Sequence, residues 1–123
     1  MSTGSPATVN TFDFIYKSVA NVQFASISGG TDLNGCFALG CPVLPVYSPE
    51  LQCRGLGMKV KVYNEQGKEC VGQTGELVCE AAFPSMPLFF WNDPDGTRYH
   101  DAYFGTYKGI WRHGDFAELT PRG

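Results

Sequence analysis

Carboxylates and hydroxyls set beside glycine are the residues of this chain best suited to chemistry, and they come in three short segments. Ser26-Ile27-Ser28-Gly29-Gly30-Thr31-Asp32 offers a hydroxyl next to a carboxylate after two glycines. Gly75-Glu76-Leu77-Val78-Cys79-Glu80 and Trp111-Arg112-His113-Gly114-Asp115 follow, each with an acidic residue against a glycine. Glycine beside an acidic residue is what any turn contains, so one such segment alone says little. In this order and at this spacing the three read as nucleotide-handling loops on a β-rich scaffold.

Thr31 and Asp32 suit phosphate and Mg²⁺, because Mg²⁺ takes one or two carboxylates and completes its shell with substrate phosphates. Gly29 and Gly30 let backbone N–H groups come close to an anion. The same residues also suit a plainer role, with the Asp32 side chain capping a helix that follows. Asp115, after Gly114, can accept two hydrogen bonds from a ribose diol, or can simply occupy a Gly-Asp turn. His113 is either a general base or a solvated or packed imidazole, and Trp111 reads as core. Glu76 starts a strand, where a buried carboxylate pairs with backbone or with Arg.

The elements that must carry these segments are short. Over residues 8–20, apolar Val9, Phe12, Ile15, Tyr16 and Val19 form one helical face, with Pro6 near its start. Val22 to Ile27 reads as a buried strand that empties into Ser28–Asp32, the place where α/β sheets hold ligands. Past Cys41 the texture changes to strands and turns. Strands are expected at 43–47, 58–63, 75–80 and 114–119, a hairpin turn at Asn64-Glu65-Gln66-Gly67, a turn at 92–96 and a short helix at 101–107. Phe89-Phe90-Trp91 reads as core, although an exposed aromatic run would mark an interface. The fold class expected is α+β and β-rich: the edge of an α/β sheet over 1–40, joined to a small distorted β-barrel over 41–123.

Bulk composition narrows the field. Fifteen Gly and eight Pro in 123 residues favour turns and short strands over long helices. A net charge of -3 gives no electrostatic case for nucleic acid or an anionic membrane. No window approaches the roughly 18 apolar residues that span a bilayer, and the N-terminus lacks the basic start and apolar stretch of a secretory signal. A cytosolic location is therefore expected. The five cysteines are odd in number and scattered. Cys36 and Cys41 have the makings of a zinc half-site with no partners to complete it, and reduced structural thiols are the expectation.

Taken together, Ser2-Thr3-Gly4-Ser5-Pro6, Ser26 to Asp32, Gly57 with Gly67 and Gly75-Glu76-Leu77, Phe90-Trp91-Asn92-Asp93, Gly109-Ile110-Trp111 and His113-Gly114-Asp115 carry a resemblance. The chain resembles the adenylate-forming acyl-CoA synthetase superfamily, and within it the branch that acts on acetoacetate. The resemblance covers nearly all 123 residues. It implies the C-terminal part of the large domain of a two-step ligase, in which a carboxylate attacks the α-phosphate of ATP and coenzyme A then displaces AMP. It further implies that Gly4, Ser5 and Pro6 line the adenine pocket and that Gly29 and Gly30 belong to the nucleotide loop. Thr31 then contacts the α-phosphate, Asp32 takes the acidic role near Mg²⁺, and Asp115 binds the ribose hydroxyls. Two positions depart from the general pattern: Ser28 stands where an aromatic residue is usual, and Asp32 where Glu is usual. The acetoacetate branch shares both. The family's Lys-containing phosphate loop would lie upstream, and its hinge and C-terminal domain downstream of Gly123. The isolated chain is therefore expected not to turn over. The alternative expectation is a catalytically inactive nucleotide-binding or interaction module.

Overall fold

Thr8 opens the first element. Its hydroxyl accepts the N–H of Thr11 at 3.3 Å, capping helix α1 (Val9–Phe14). In the computed structural model, which describes all 123 residues, α1 runs on into a π-helical stretch, Ile15–Val19. The helix expected over 8–20 is thus present, but its apolar face is only partly used. Phe12 is buried and Ile15 half-buried, while Val9, Tyr16 and Val19 are exposed. Phe12 meets Phe24 edge-to-face with ring centroids 4.8 Å apart, and Ala7, Ile15 and Val46 complete this small core.

The chain divides into two compact units, 1–55 and 56–123. In the first, β1 (Ser28–Gly30), β2 (Gly35–Leu39) and β3 (Cys53–Arg54) form an antiparallel sheet in that order. The change of texture near residue 40 falls inside this unit, just past β2. Val22 to Ile27 is not a sheet strand. Phe24 and Ser26 do alternate inward, but the only β-pairing is a parallel bridge from Ser26 to Ser2. The strand expected at 43–47 is also missing, for a local reason. Pro42 and Pro45 have no N–H to give a ladder, and the carbonyls of Leu44 and Pro45 are taken by the Gln52 side-chain amide at 2.8 and 3.2 Å.

In the second unit, β4 (Val60–Tyr63), β5 (Thr74–Cys79) and β6 (Trp111–Glu118) form another antiparallel sheet, with β5 central. A central strand loses both edges to neighbours, and Gly75 to Cys79 are all buried. Gly75 is forced by close approach, because a Cβ there would sit 2.2 Å from the Tyr63 carbonyl oxygen. The turn expected at 64–67 forms. Gly67 is left-handed at φ +70° and donates to the Asn64 carbonyl at 2.9 Å, while Asn64 Oδ1 accepts the N–H groups of Gln66 and Lys68.

The helix expected at 101–107 begins earlier, as α2 (Thr97–Tyr103). The buried Asp93 carboxylate sets its start by accepting the N–H groups of Arg98 and Tyr99 at 3.1 and 2.9 Å. From α2, Tyr103 stacks on Trp111 of β6, with centroids 3.6 Å apart and planes 12° from parallel. Phe83 and Phe104 meet the same indole edge-on. Phe89-Phe90-Trp91 is not core as a run. Phe89 and Trp91 are exposed, and only Phe90 turns inward, against Tyr99 and Tyr103.

The fold is mixed α+β and mostly strands, as the sequence predicts. The barrel-like part stands as an open sheet: three strands leave two unpaired edges, so nothing closes. No helix is long and apolar enough to cross a membrane.

One side-chain pair couples β4 to the end of β5 and responds to pH. The Tyr63 hydroxyl donates to Glu80 at 2.6 Å, and Lys59 reaches the same carboxylate at 3.0 Å. Burial first, then the Glu80 hydrogen bond, pushes the Tyr63 phenol up to about 12. A raised phenol stabilises the folded state below pH 10, and that contribution drains away as the pH rises to about 12. Urea unfolding of wild type and Tyr63→Phe across pH 8 to 12 should show a steep loss for wild type within that window and a shallower one for the variant. Parallel profiles would mean that the bond does not couple to titration.

Candidate functional site

The first unit gathers its candidate residues by chain direction. Ser2 donates to the Ala25 carbonyl at 2.8 Å and accepts from the Ile27 N–H at 2.9 Å, so the chain directions are parallel at that bridge. Gly4-Ser5-Pro6 and Ser28–Asp32 therefore leave the bridge at the same end. Gly4 is left-handed at φ +86°, and Gly4, Ser5 and Pro6 are exposed.

Thr31 and Asp32 do not cap a helix. They occupy the turn of the β1–β2 hairpin, closed by the Asn34 N–H on the Thr31 carbonyl at 3.1 Å with Asn34 at φ 45°. Leu33 anchors the turn by burying its side chain, and both Thr31 and Asp32 are exposed. Gly29 has a steric reason to be glycine: a Cβ there would lie 2.2 Å from the Gly35 carbonyl oxygen across the hairpin. The turn thus presents a hydroxyl and a carboxylate side by side on a short, fixed support. One exposed carboxylate with an adjacent hydroxyl fits a Mg²⁺ that arrives with substrate phosphates. No group of three or more His, Cys, Asp or Glu side chains gathers as a resident metal cage, and all five cysteines are free thiols.

The second unit places Asp115 in a bulge rather than at the mouth of a strand. Glu76 of β5 pairs with Phe116 of β6, but Val78 pairs with Arg112, so β6 spends two extra residues opposite Leu77. His113-Gly114-Asp115 is the segment displaced from the ladder. Gly114 takes φ +89°, open to glycine and strained for other residues. Glu76 fills the gap that this leaves. Its buried carboxylate accepts the Gly114 N–H at 2.9 Å through one oxygen and the Arg112 Nε–H at 3.0 Å through the other. Asp115 beyond it is 61% exposed, with Oδ2 3.5 Å from His113 Nε2. His113 itself is 10% exposed and packed.

Glu76 is the residue whose importance the sequence understates. Pairing with Arg or backbone is legible from its strand context, but its partner at Gly114 becomes visible only through the bulge. Asp93 is similar: it reads as part of a turn and acts as the cap of α2.

No family model matches the sequence. Curated relatives match it nearly end to end. The chain is 55% identical over 123 residues to an acetoacetyl-coenzyme A synthetase of Rhizobium meliloti, covering 99% of this chain and 19% of that protein. It is 43% identical to an acetoacetyl-CoA synthetase of Xenopus tropicalis, covering 18% of it. Among solved structures it matches an acetoacetyl-CoA synthetase from Streptomyces lividans, at TM-score 0.86 and 48% identity over 98% of this chain and 19% of that one. An anthranilate CoA ligase in complex with anthranoyl-AMP has TM-score 0.71 at 13% identity, which speaks for the fold alone. By sequence and backbone together, the chain belongs to the adenylate-forming acyl-CoA synthetase superfamily. The relatives it matches there are acetoacetyl-CoA synthetases, and it spans about a fifth of their length.

Two ligand atoms on one buried carboxylate make Glu76 testable. Glu76→Ala leaves the Gly114 N–H and the Arg112 guanidinium without their acceptor, and should cost about 2–3 kcal/mol in urea unfolding. The Gly114 and Asp115 amide resonances should move most. Glu76→Gln, which keeps an acceptor oxygen, should lose less. Equal stability of Glu76→Ala and wild type would remove the carboxylate from this role.

Proposed function

We propose that this chain is the segment of an acetoacetate–CoA ligase that supplies part of the ATP site. In that reading the whole enzyme activates acetoacetate with ATP to acyl-AMP and passes the acyl group to coenzyme A in the cytosol. The observation that carries the proposal is 55% identity along the whole chain to a protein named for that activity.

Each unit then contributes its own residues. From the first unit, Thr31 donates its hydroxyl to the α-phosphate, and Asp32 holds the Mg²⁺ that accompanies the phosphates. Gly29 and Gly30 keep the hairpin narrow enough to bring the turn close to the nucleotide. Gly4, Ser5 and Pro6, leaving the Ser2–Ser26 bridge at the same end, line the adenine side. From the second unit, the Asp115 carboxylate accepts the ribose hydroxyls, with its backbone fixed by Glu76 through Gly114. Mg²⁺ neutralises phosphate charge while bound; the protein's part is to position donors and a carboxylate where charge develops. No protein nucleophile is needed.

Exposed Leu88, Phe89 and Trp91 favour a second reading, an interaction module without catalysis, since grouped exposed apolar side chains mark interfaces. Concentration-dependent self-association of the chain without nucleotide binding would support it.

The test is a graft. This chain replaces the matching segment of the Rhizobium meliloti synthetase, and acetoacetate-dependent ATP–pyrophosphate exchange is measured. The graft should exchange, and the isolated chain should not. Asp115→Ala in the graft should raise KM for ATP by about 10- to 100-fold, the loss of one or two hydrogen bonds to a charged group. Asp32→Ala should lower kcat instead. A graft that folds like the parent yet shows no exchange would overturn the proposal.

A further inference from the structure

Cys41 and Cys53 lie outside every role assigned so far. β2 and β3 pair Leu39 with Cys53. Side chains alternate along a strand, so Cys41, two residues past Leu39, falls on the same side as Leu39 and becomes a diagonal cross-strand neighbour of Cys53. Cys41 lies close enough to Cys53 to raise its thiol pKa.

The geometry is held from outside the pair. β2 ends at Leu39, but the Gln52 side-chain amide continues the ladder as a peptide group would. Cys41 N–H donates to Gln52 Oε1 at 3.0 Å, and Gln52 Nε2 donates to the Cys41 carbonyl at 3.1 Å. Gln23 Nε2 donates to the same carbonyl at 2.6 Å. On the other strand, Cys53 Sγ reaches the Leu39 carbonyl at 3.6 Å. Gly40, between β2 and Cys41, has no room for a side chain, because a Cβ would meet that of Ala25 at 2.5 Å. Both cysteines are half-buried, so a small reagent can reach them.

We propose that Cys41 and Cys53 are a redox modification site that closes reversibly to a disulfide, stapling the end of β2 to β3. The oxidant class is a low-molecular-weight disulfide such as oxidised glutathione. The Cys41 thiolate attacks one sulfur of the reagent, forming a mixed disulfide and expelling one thiolate. Cys53 gives its proton to solvent and attacks the Cys41 sulfur, forming the Cys41–Cys53 bond and expelling the second thiolate. One S–S bond is broken and one formed. The two protein thiols are oxidised, the reagent is reduced to two thiols, and the two protons lost by the protein end on them. Burial, and then Cys41 beside it, pushes the Cys53 thiol up, which suits Cys53 to the second, resolving step. The remaining cysteines do not compete in the same way. Cys36 is three residues from Leu39 and lies on the opposite face of β2, while Cys70 and Cys79 are buried against backbone carbonyls.

The site is independent of the ligase reading. Its test exposes the full chain to a series of oxidised glutathione concentrations, quenches with acid, alkylates, and cleaves at glutamate without reduction. Glu50 separates the two cysteines, and fragmentation of the linked peptides tells Cys41 from Cys36. The expected result is a Cys41–Cys53 linkage with the loss of two hydrogens, reversed by dithiothreitol. Cys53→Ser should accumulate glutathione on Cys41, and Cys41→Ser should leave Cys53 largely unmodified. Far-ultraviolet circular dichroism verifies that each variant is folded. Three results would overturn the proposal: both thiols still free to alkylate across the series, glutathione persisting on Cys41 with Cys53 intact beside it, or Cys36 linking as readily as Cys53.

Discussion

A buried carboxylate organises the second unit. Glu76 sits on the central strand, where an unpaired charge would be costly, and it is accommodated because β6 bends to bring it donors. The two extra residues in β6 would leave backbone groups without ladder partners. Glu76 takes the Gly114 N–H into its own coordination and the Arg112 side chain with it. On one side of that knot Asp115 is turned outward. On the other side the register resumes with Val78 opposite Arg112 and Cys79 opposite Trp111, which buries the indole that α2 stacks upon. The bulge, the exposed carboxylate and the aromatic core are thus consequences of one interaction.

The first unit reaches the same end by economy of space. Its hairpin is narrow because Gly29 lies under the Gly35 carbonyl, and its second strand is prolonged by a side-chain amide where prolines deny it a backbone partner. Both devices place candidate residues on short supports: Thr31 and Asp32 at the hairpin turn, and Cys41 and Cys53 at the far end of β2. A short antiparallel sheet is rigid only where its partners are specified, and here Gln52 and Gln23 specify them.

Fold and chemistry depend on different parts of the chain. A CoA ligase with 13% identity keeps the backbone at TM-score 0.71, so the arrangement of strands tolerates nearly complete replacement of side chains. Identity of 55% and 48% to acetoacetyl-CoA synthetases is a different matter, because at that level about half of the side chains are shared along with the backbone. The superfamily follows from the second kind of likeness, while the first speaks for the fold alone. The proposed choice of acid and use of ATP rest on the second kind alone, since they depend on individual side chains.

Residue types and their order were enough to determine the α+β, β-rich class, the turn at Asn64–Gly67, the strand around Glu76 and the superfamily, because these depend on local turn chemistry, short apolar runs and motif order. Other features were decided only when the chain folded. Val9 and Val19 share a helical period with Phe12, yet only Phe12 found a partner in Phe24; Phe89 and Trp91 look like core and stand in solvent. Periodicity states which side chains point the same way and not which of them are covered. In the same way Gly114-Asp115 reads as an ordinary turn until β5 lies beside it. The two-residue excess of β6 over its neighbour, and the carboxylate that satisfies it, exist only as a relation between strands thirty-eight positions apart in sequence, from Glu76 to Gly114.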